Sequence, residues 1–218
     1  MSLTLHMHPL SSFCHKVLIA LYENDTPFEK NLVDLANESS RAEFLKLWPI
    51  GKFPVLRDEA QAKTIPESTV IIEYLAEHYP GKVPLLPTDP ALAFEVRFQD
   101  RFFDLYLQLP MQKIVLDRMR PEGKNDSHGV ELATHQLQTA LGLVDQEMSN
   151  KTWAAGELFT MADCSAAPAL FYADRIRPLG ERYPHAAAFL HRLMDRPSFA
   201  RVLREAEPYF SQFPGTSK

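Results

Sequence analysis

Trp48-Pro49-Ile50-Gly51-Lys52-Phe53-Pro54-Val55-Leu56, followed a short way on by Glu67-Ser68 at the head of an apolar helical run, is the stretch that decides the fold. Pro54 stands where a strand should begin, between Phe53 and Val55. Strands tolerate proline only at an edge, a bulge or the first position. A strand-start proline after a bulky residue is a candidate for a cis bond, a form kept only where it is needed. Such a bond would turn the Phe53 backbone N–H and C=O outward, ready to pair with an extended peptide. Glu67-Ser68 adds a carboxylate and a hydroxyl at a helix N-terminus, where backbone N–H groups attract a carboxylate. The two segments together predict a cradle for a small, charged peptide.

Working outward from that cradle, residues 3–8 alternate apolar and polar and read as a strand. Pro9-Leu10-Ser11-Ser12 breaks it, and Phe13, Val17, Leu18 and Leu21 recur at helical spacing to about Asn24. Residues 27–33 read as a second strand beside the first, a βαβ unit. Ser40 and Glu43 suggest a capping box for a short helix ending near Trp48. Residues 55–57 and 62–65 form an expected hairpin, and 68–79 a helix with Val70, Ile71, Leu75 and Tyr79 inward. The order is β-α-β-α-β-β-α.

The prolines at 80, 84 and 87 stop helices and stiffen a linker. Everything beyond reads as helix. Residues 90–109 carry Phe94, Phe98, Phe102, Leu105 and Leu109 on one face, and 129–148 form a second long helix. Thr160-Met161-Ala162-Asp163 opens a third, with 186–194 and 199–206 following. The expected division is an α/β domain over 1–80, a linker over 81–89 and an all-α domain over 90–218.

A chain of 218 residues with net charge −5 can bury a substantial core and lacks the basic balance of a nucleic-acid binder. Its two cysteines, Cys14 and Cys164, form neither a disulfide framework nor a zinc spacing, which fits a reducing cytoplasm. No signal-peptide pattern opens the sequence, and no apolar run is long enough to span a membrane. His6 and His8 share a strand face without an evident third ligand, so no metal site is expected.

The chain resembles the cytosolic glutathione transferases over nearly its whole length. Ser11-Ser12-Phe13-Cys14-His15-Lys16-Val17 is similar to the family's serine-type active-site turn, and Phe53-Pro54 to its cis-proline clamp. Glu67-Ser68-Thr69-Val70-Ile71-Ile72-Glu73-Tyr74-Leu75 resembles the γ-glutamyl-binding signature, and Thr160-Met161-Ala162-Asp163 the N-capping box of a buried helix. The turn begins like that of the zeta class but has Phe13 where that class has cysteine, and it also resembles the Cys-x-x-Cys of glutaredoxins with Ser11 in the first place.

What the resemblance implies is a thioredoxin-like N-terminal domain joined to an all-helical one. The enzyme it implies uses glutathione as co-substrate, and no metal, to attack an apolar electrophile. Ser11 is the expected thiolate donor, with Ser12 the alternative and Cys14 a core residue or a redox group. Lys52, Phe53, Pro54, Glu67 and Ser68 are expected to hold the tripeptide. Leu10, Phe13, Phe103, Tyr106, Leu107 and Met111 are the candidates for the electrophile site. The resemblance also implies a homodimer built on the exposed faces of 68–79 and 90–109, with no nucleic-acid or membrane partner. Peroxidase, dehalogenase or isomerase activity with the same thiolate is the alternative enzyme, and a non-catalytic ligand or protein-partner scaffold is the alternative from another class.

Overall fold

The computed structural model describes residues 2–214. Its first half is a four-stranded mixed sheet in the order β2-β1-β3-β4, built from β1 (Leu3–Met7), β2 (Glu29–Leu32), β3 (Val55–Asp58) and β4 (Lys63–Pro66). β1 runs parallel to β2 and antiparallel to β3, with Leu5 opposite Leu56, and β3 pairs antiparallel with β4. Alternation along β1 sends Leu3, Leu5 and Met7 into the core. The connecting helices are α1 (Ser12–Glu23), α2 (Glu38–Leu47) and α3 (Ser68–His78).

The second half is helical: α4 (Pro90–Phe102), α5 (Leu109–Arg118), α6 (Ser127–Glu147), α7 (Met161–Ile176), α8 (Pro184–Asp195) and α9 (Pro197–Ala206). Every residue of α7 from Met161 to Ala173 is buried, so this helix is the axle of the core. Small residues at 162, 165–167, 169 and 173 let neighbouring helices approach it on all sides. Its N-terminus carries the expected capping box: the Thr160 N–H donates to Asp163 Oδ2 at 2.8 Å, and the Thr160 hydroxyl meets the N3 backbone. Asp163 Oδ1 also takes the Ala154 N–H at 2.8 Å, and burial pushes this carboxyl up to about 7.

Three local expectations are corrected. The cap of α2 is Asn37, whose side chain accepts from Ser40 N at 3.0 Å, rather than a box of Ser40 and Glu43. Ser40 instead turns its hydroxyl to the Asp34 N–H at 3.1 Å. In α3, Val70 is 52% exposed, and Ile71, Ile72 and Leu75 make the buried stripe. The long helix from Pro90 does not stop near 109. It passes through a π-helical turn at Phe103–Gln108 and continues as α5. Pro110 explains the turn: proline has no N–H to donate and its ring crowds the preceding carbonyls, so the helix takes in an extra residue just before it.

Candidate functional site

The N-terminus of α1 is set by sequence. His8-Pro9-Leu10-Ser11 closes a turn through the Ser11 N–H to His8 O at 3.0 Å. Ser11 is then the N-cap of α1, its hydroxyl oxygen accepting from Cys14 N at 3.3 Å. The Ser11 hydroxyl also lies within hydrogen-bonding reach of the Cys14 thiol. Ser12, the first helical residue, is buried, and Cys14 is fully so, its thiol pushed up to about 12 by burial. A thiol held in that form is no nucleophile at neutral pH, which leaves Cys14 as a core residue.

A cavity of about 500 Å³ opens beside Ser11 between the two halves of the molecule. Ser11 and Phe13 form one wall, and Leu35 with Gly51, Lys52, Phe53 and Pro54 forms the next. The Phe53–Pro54 bond is cis, and neither backbone polar group of Phe53 is hydrogen-bonded among the described residues. The Phe53 ring stacks on His8 at 5.8 Å between centroids, tying the clamp segment to the turn. Lys52 is exposed and forms no ion pair among the described residues.

Glu67 and Ser68 close the cavity at the head of α3. Glu67 is its N-cap residue, at φ +69 and ψ 118, with no capping bond from its side chain. A non-glycine residue held there is strained, and such strain persists where the surroundings impose it, commonly at binding sites. Glu67 lines the cavity, and its side chain makes no capping bond to its own helix.

The remaining wall comes from α4, the π turn and α5: Arg101, Asp104, Leu105, Leu109, Gln112 and Leu116. None of these six stands among the residues expected from sequence for the electrophile site, Leu10, Phe13, Phe103, Tyr106, Leu107 and Met111. Of that set Phe13 alone lines the cavity. Phe103, Leu107 and Met111 are buried in the helical core instead. Tyr106 is 46% exposed and lies on Phe102. Leu10 offers its carbonyl to the Tyr172 hydroxyl at 2.9 Å rather than its side chain to the cavity. Both stripes of this helix are apolar, and the π turn shifts which one faces the cavity, so periodicity alone could not choose between them. The wall is also less apolar than expected, since Arg101, Asp104 and Gln112 belong to it.

Behind that wall lies an ionic cluster that sequence reasoning missed. Lys16 of α1 is 1% exposed and reaches Asp100 Oδ1 at 2.6 Å and Asp104 Oδ2 at 2.8 Å. It also donates to the Thr69 hydroxyl at 2.8 Å, and Thr69 in turn donates to Asp100 Oδ2 at 2.7 Å. Ser165 of α7 donates to Asp100 Oδ1 at 2.5 Å, and Arg101 approaches Asp104 at 3.4 Å. Burial pushes the Asp104 carboxyl up, against the pull of Lys16 and Arg101. The available signal was an isolated lysine on the otherwise apolar side of α1, matched by two acids four residues apart in the helical half.

Among the described residues no group of three or more His, Cys, Asp or Glu could hold a metal ion, and no helix is long and apolar enough to cross a membrane.

Residues 5–83 match the family described as glutathione S-transferase, N-terminal domain, and residues 103–197 the family described as glutathione S-transferase, C-terminal domain. The chain is 25% identical over 190 residues to glutathione S-transferase GstB of Escherichia coli, covering 86% of this chain and 91% of that one. It is 29% identical over 201 residues to a probable maleylacetoacetate isomerase of Caenorhabditis elegans, covering 91% of each. Among solved structures it is similar to a glutathione S-transferase from Methylobacillus flagellatus with GSH bound, with TM-score 0.85, 27% identity, and coverage of 92% of this chain and 98% of that one.

Proposed function

The chain belongs to the glutathione S-transferase family and is a glutathione transferase, and on that premise we propose how its residues hold and activate the thiol. The observation that carries the reading is the single cavity into which Ser11, the cis-Pro54 segment, and Glu67 with Ser68 all open. The backbone of Phe53 pairs with the cysteinyl backbone of glutathione. Glu67, Ser68 and the α3 N-terminus receive the γ-glutamyl end, and Lys52 pairs with the glycyl carboxylate. This sets the sulfur against Ser11.

A free thiol ionises near pH 8.5, so at neutral pH only a few per cent is thiolate. The Ser11 O–H donates to the sulfur, and the α1 N-terminus adds a favourable dipole. The Cys14 N–H already bonded to Ser11 Oγ polarises that hydroxyl further. The thiolate then attacks the electrophilic atom, forming the new bond to sulfur as the leaving group departs. The electrophile lies on Phe13, Leu105, Leu109 and Leu116, an apolar bed with Gln112 beside it. A homodimer completes the proposal, built on the outward faces of α3 and α4.

Ser11→Ala removes one hydrogen bond to an anion, worth about 1.5–3 kcal/mol, so the bound thiol should titrate one to two pH units higher, roughly. Ultraviolet titration of the thiolate with glutathione bound measures this directly. Glutathione affinity should change little, because the clamp and Glu67 remain. A shift on Ser12→Ala with none on Ser11→Ala would overturn the assignment.

A further inference from the structure

The turn that carries Ser11 leaves two carbonyls, those of Pro9 and Leu10, which its own closing bond does not use. Pro9 is buried and Leu10 half-buried, so both oxygens need partners from the protein. They find one each. His15 Nε2 lies 2.5 Å from Pro9 O, and the Tyr172 hydroxyl donates to Leu10 O at 2.9 Å. The two rings stack on each other, 5.6 Å between centroids and 28° between planes, and neither is more than 1% exposed. One comes from α1 and the other from α7.

We propose that His15 and Tyr172 are positioning residues for Ser11: a stacked pair that clasps successive carbonyls of the turn and so fixes where the Ser11 hydroxyl meets the thiol. The inference rests on the reading of Ser11 as the thiolate donor. A carbonyl can only accept, so His15 presents its proton at Nε2 and keeps the lone pair at Nδ1. That Nδ1 is buried without a partner among the described residues. A phenyl or leucyl group would fill the same space without burying an unsatisfied nitrogen, which is costly. What the imidazole adds is the bond to Pro9. Burial holds His15 neutral, pushed down to about 4, and pushes the Tyr172 phenol up, so both keep the protons they donate. The charged or titratable neighbours are His8, Lys30, Glu205 and Tyr209 around His15, and Cys14 and Arg175 around Tyr172. Hydrogen bonds weaken steeply with distance and angle, so a small drift of the turn is enough to loosen the bond to sulfur.

The test is Tyr172→Phe, which keeps the stacked ring and deletes only the hydroxyl, read by the pH profile of the bound thiol and of kcat/KM. The thiol should titrate about half a pH unit higher or more, a roughly threefold loss of thiolate near neutral pH. The defect in kcat/KM should vanish above about pH 9, where the thiol ionises unaided. Glutathione affinity should stay within about twofold, since the groups that bind the peptide are untouched. His15→Leu should behave like Tyr172→Phe, and His15→Gln, which restores an N–H donor, should recover part of the loss. Tyr172→Phe alone decides the matter if the His15 variants do not fold. A loss equal at all pH values, or an unmoved titration, would overturn the clasp. Ser11→Ala separates the two ideas. If it shifts the titration while Tyr172→Phe does not, the clasp alone fails, and if Ser11→Ala itself shifts nothing, the reading of Ser11 fails. In the double variant, Tyr172→Phe should add nothing to Ser11→Ala.

Discussion

Glu67 shows how one residue trades stability for binding. Its φ of +69 is a conformation that costs a side-chain-bearing residue on the order of 1–3 kcal/mol. Glu67→Gly should therefore raise the thermal midpoint by a few degrees, about 2–4 °C per kcal/mol at this chain length, while weakening glutathione binding. Calorimetry with and without glutathione checks both halves. His15 makes a second prediction, on pH. The folded state holds it neutral, pushed down to about 4 by burial, while the unfolded chain takes up a proton near 6.5. Its contribution is present above 6.5 and is lost as pH falls from there to about 4, at most about 3 kcal/mol. Denaturant melts of His15→Gln against the parent over that window should show a flatter acid limb in the variant. At this scale the sequence was legible where chemistry is local: a carboxylate and a hydroxyl side by side, or a serine at a helix start. His15 was not legible, because nothing in sequence says that the ring will meet a carbonyl six residues back.

At the scale of elements, the shift at Pro110 decides which side chains reach the cavity. Reading 90–109 as one regular helix predicts its existence but not its phase, and phase is what separates Leu105, Leu109 and Gln112 from Phe103, Leu107 and Met111. The Lys16 cluster lives at the same scale, because its members sit on α1, α3, α4, the π turn and α7. Lys16→Met would leave Asp100 and Asp104 buried together with only the half-exposed Arg101 beside them. Breaking one side of such a pair costs about 3–5 kcal/mol, so the variant should unfold far earlier in urea. A triple variant that also replaces both acids with similarly sized apolar or amide groups should regain most of that loss. Periodicity could see none of this, since it treats a buried lysine as an error in the apolar stripe.

On the scale of the whole molecule, the order of elements and the change from mixed sheet to helices were readable because turn signals and repeat periods are local, and they agree with one another. The outward stripe is the part that a single chain leaves unexplained. Phe94 is 73% and Phe98 49% exposed, and Val70 stands exposed on α3. Exposed apolar side chains of that size are what an interface would cover, and they support the homodimer proposed above. Phe94→Glu combined with Phe98→Glu should yield a monomer in sedimentation or light-scattering measurements, with the fold intact by circular dichroism. A parent chain that is already monomeric at micromolar concentration would remove the dimer from the proposal.

The ties between the halves set a limit on how such a chain can be recombined. Lys16, from the sheet-bearing half, finds both of its acids in the helical half, and Leu10 O accepts a hydrogen bond from the Tyr172 hydroxyl. Glu23 of α1 likewise receives Arg196 and Ser198 from the far end of the sequence. A chimera that joined the first half of this protein to the helices of a relative would inherit a buried cation, a bare carbonyl and a stranded carboxylate unless the relative supplied matching groups. The segment between α3 and α4 invites a crossover by its position in the chain, yet the two halves can be exchanged only as a matched pair.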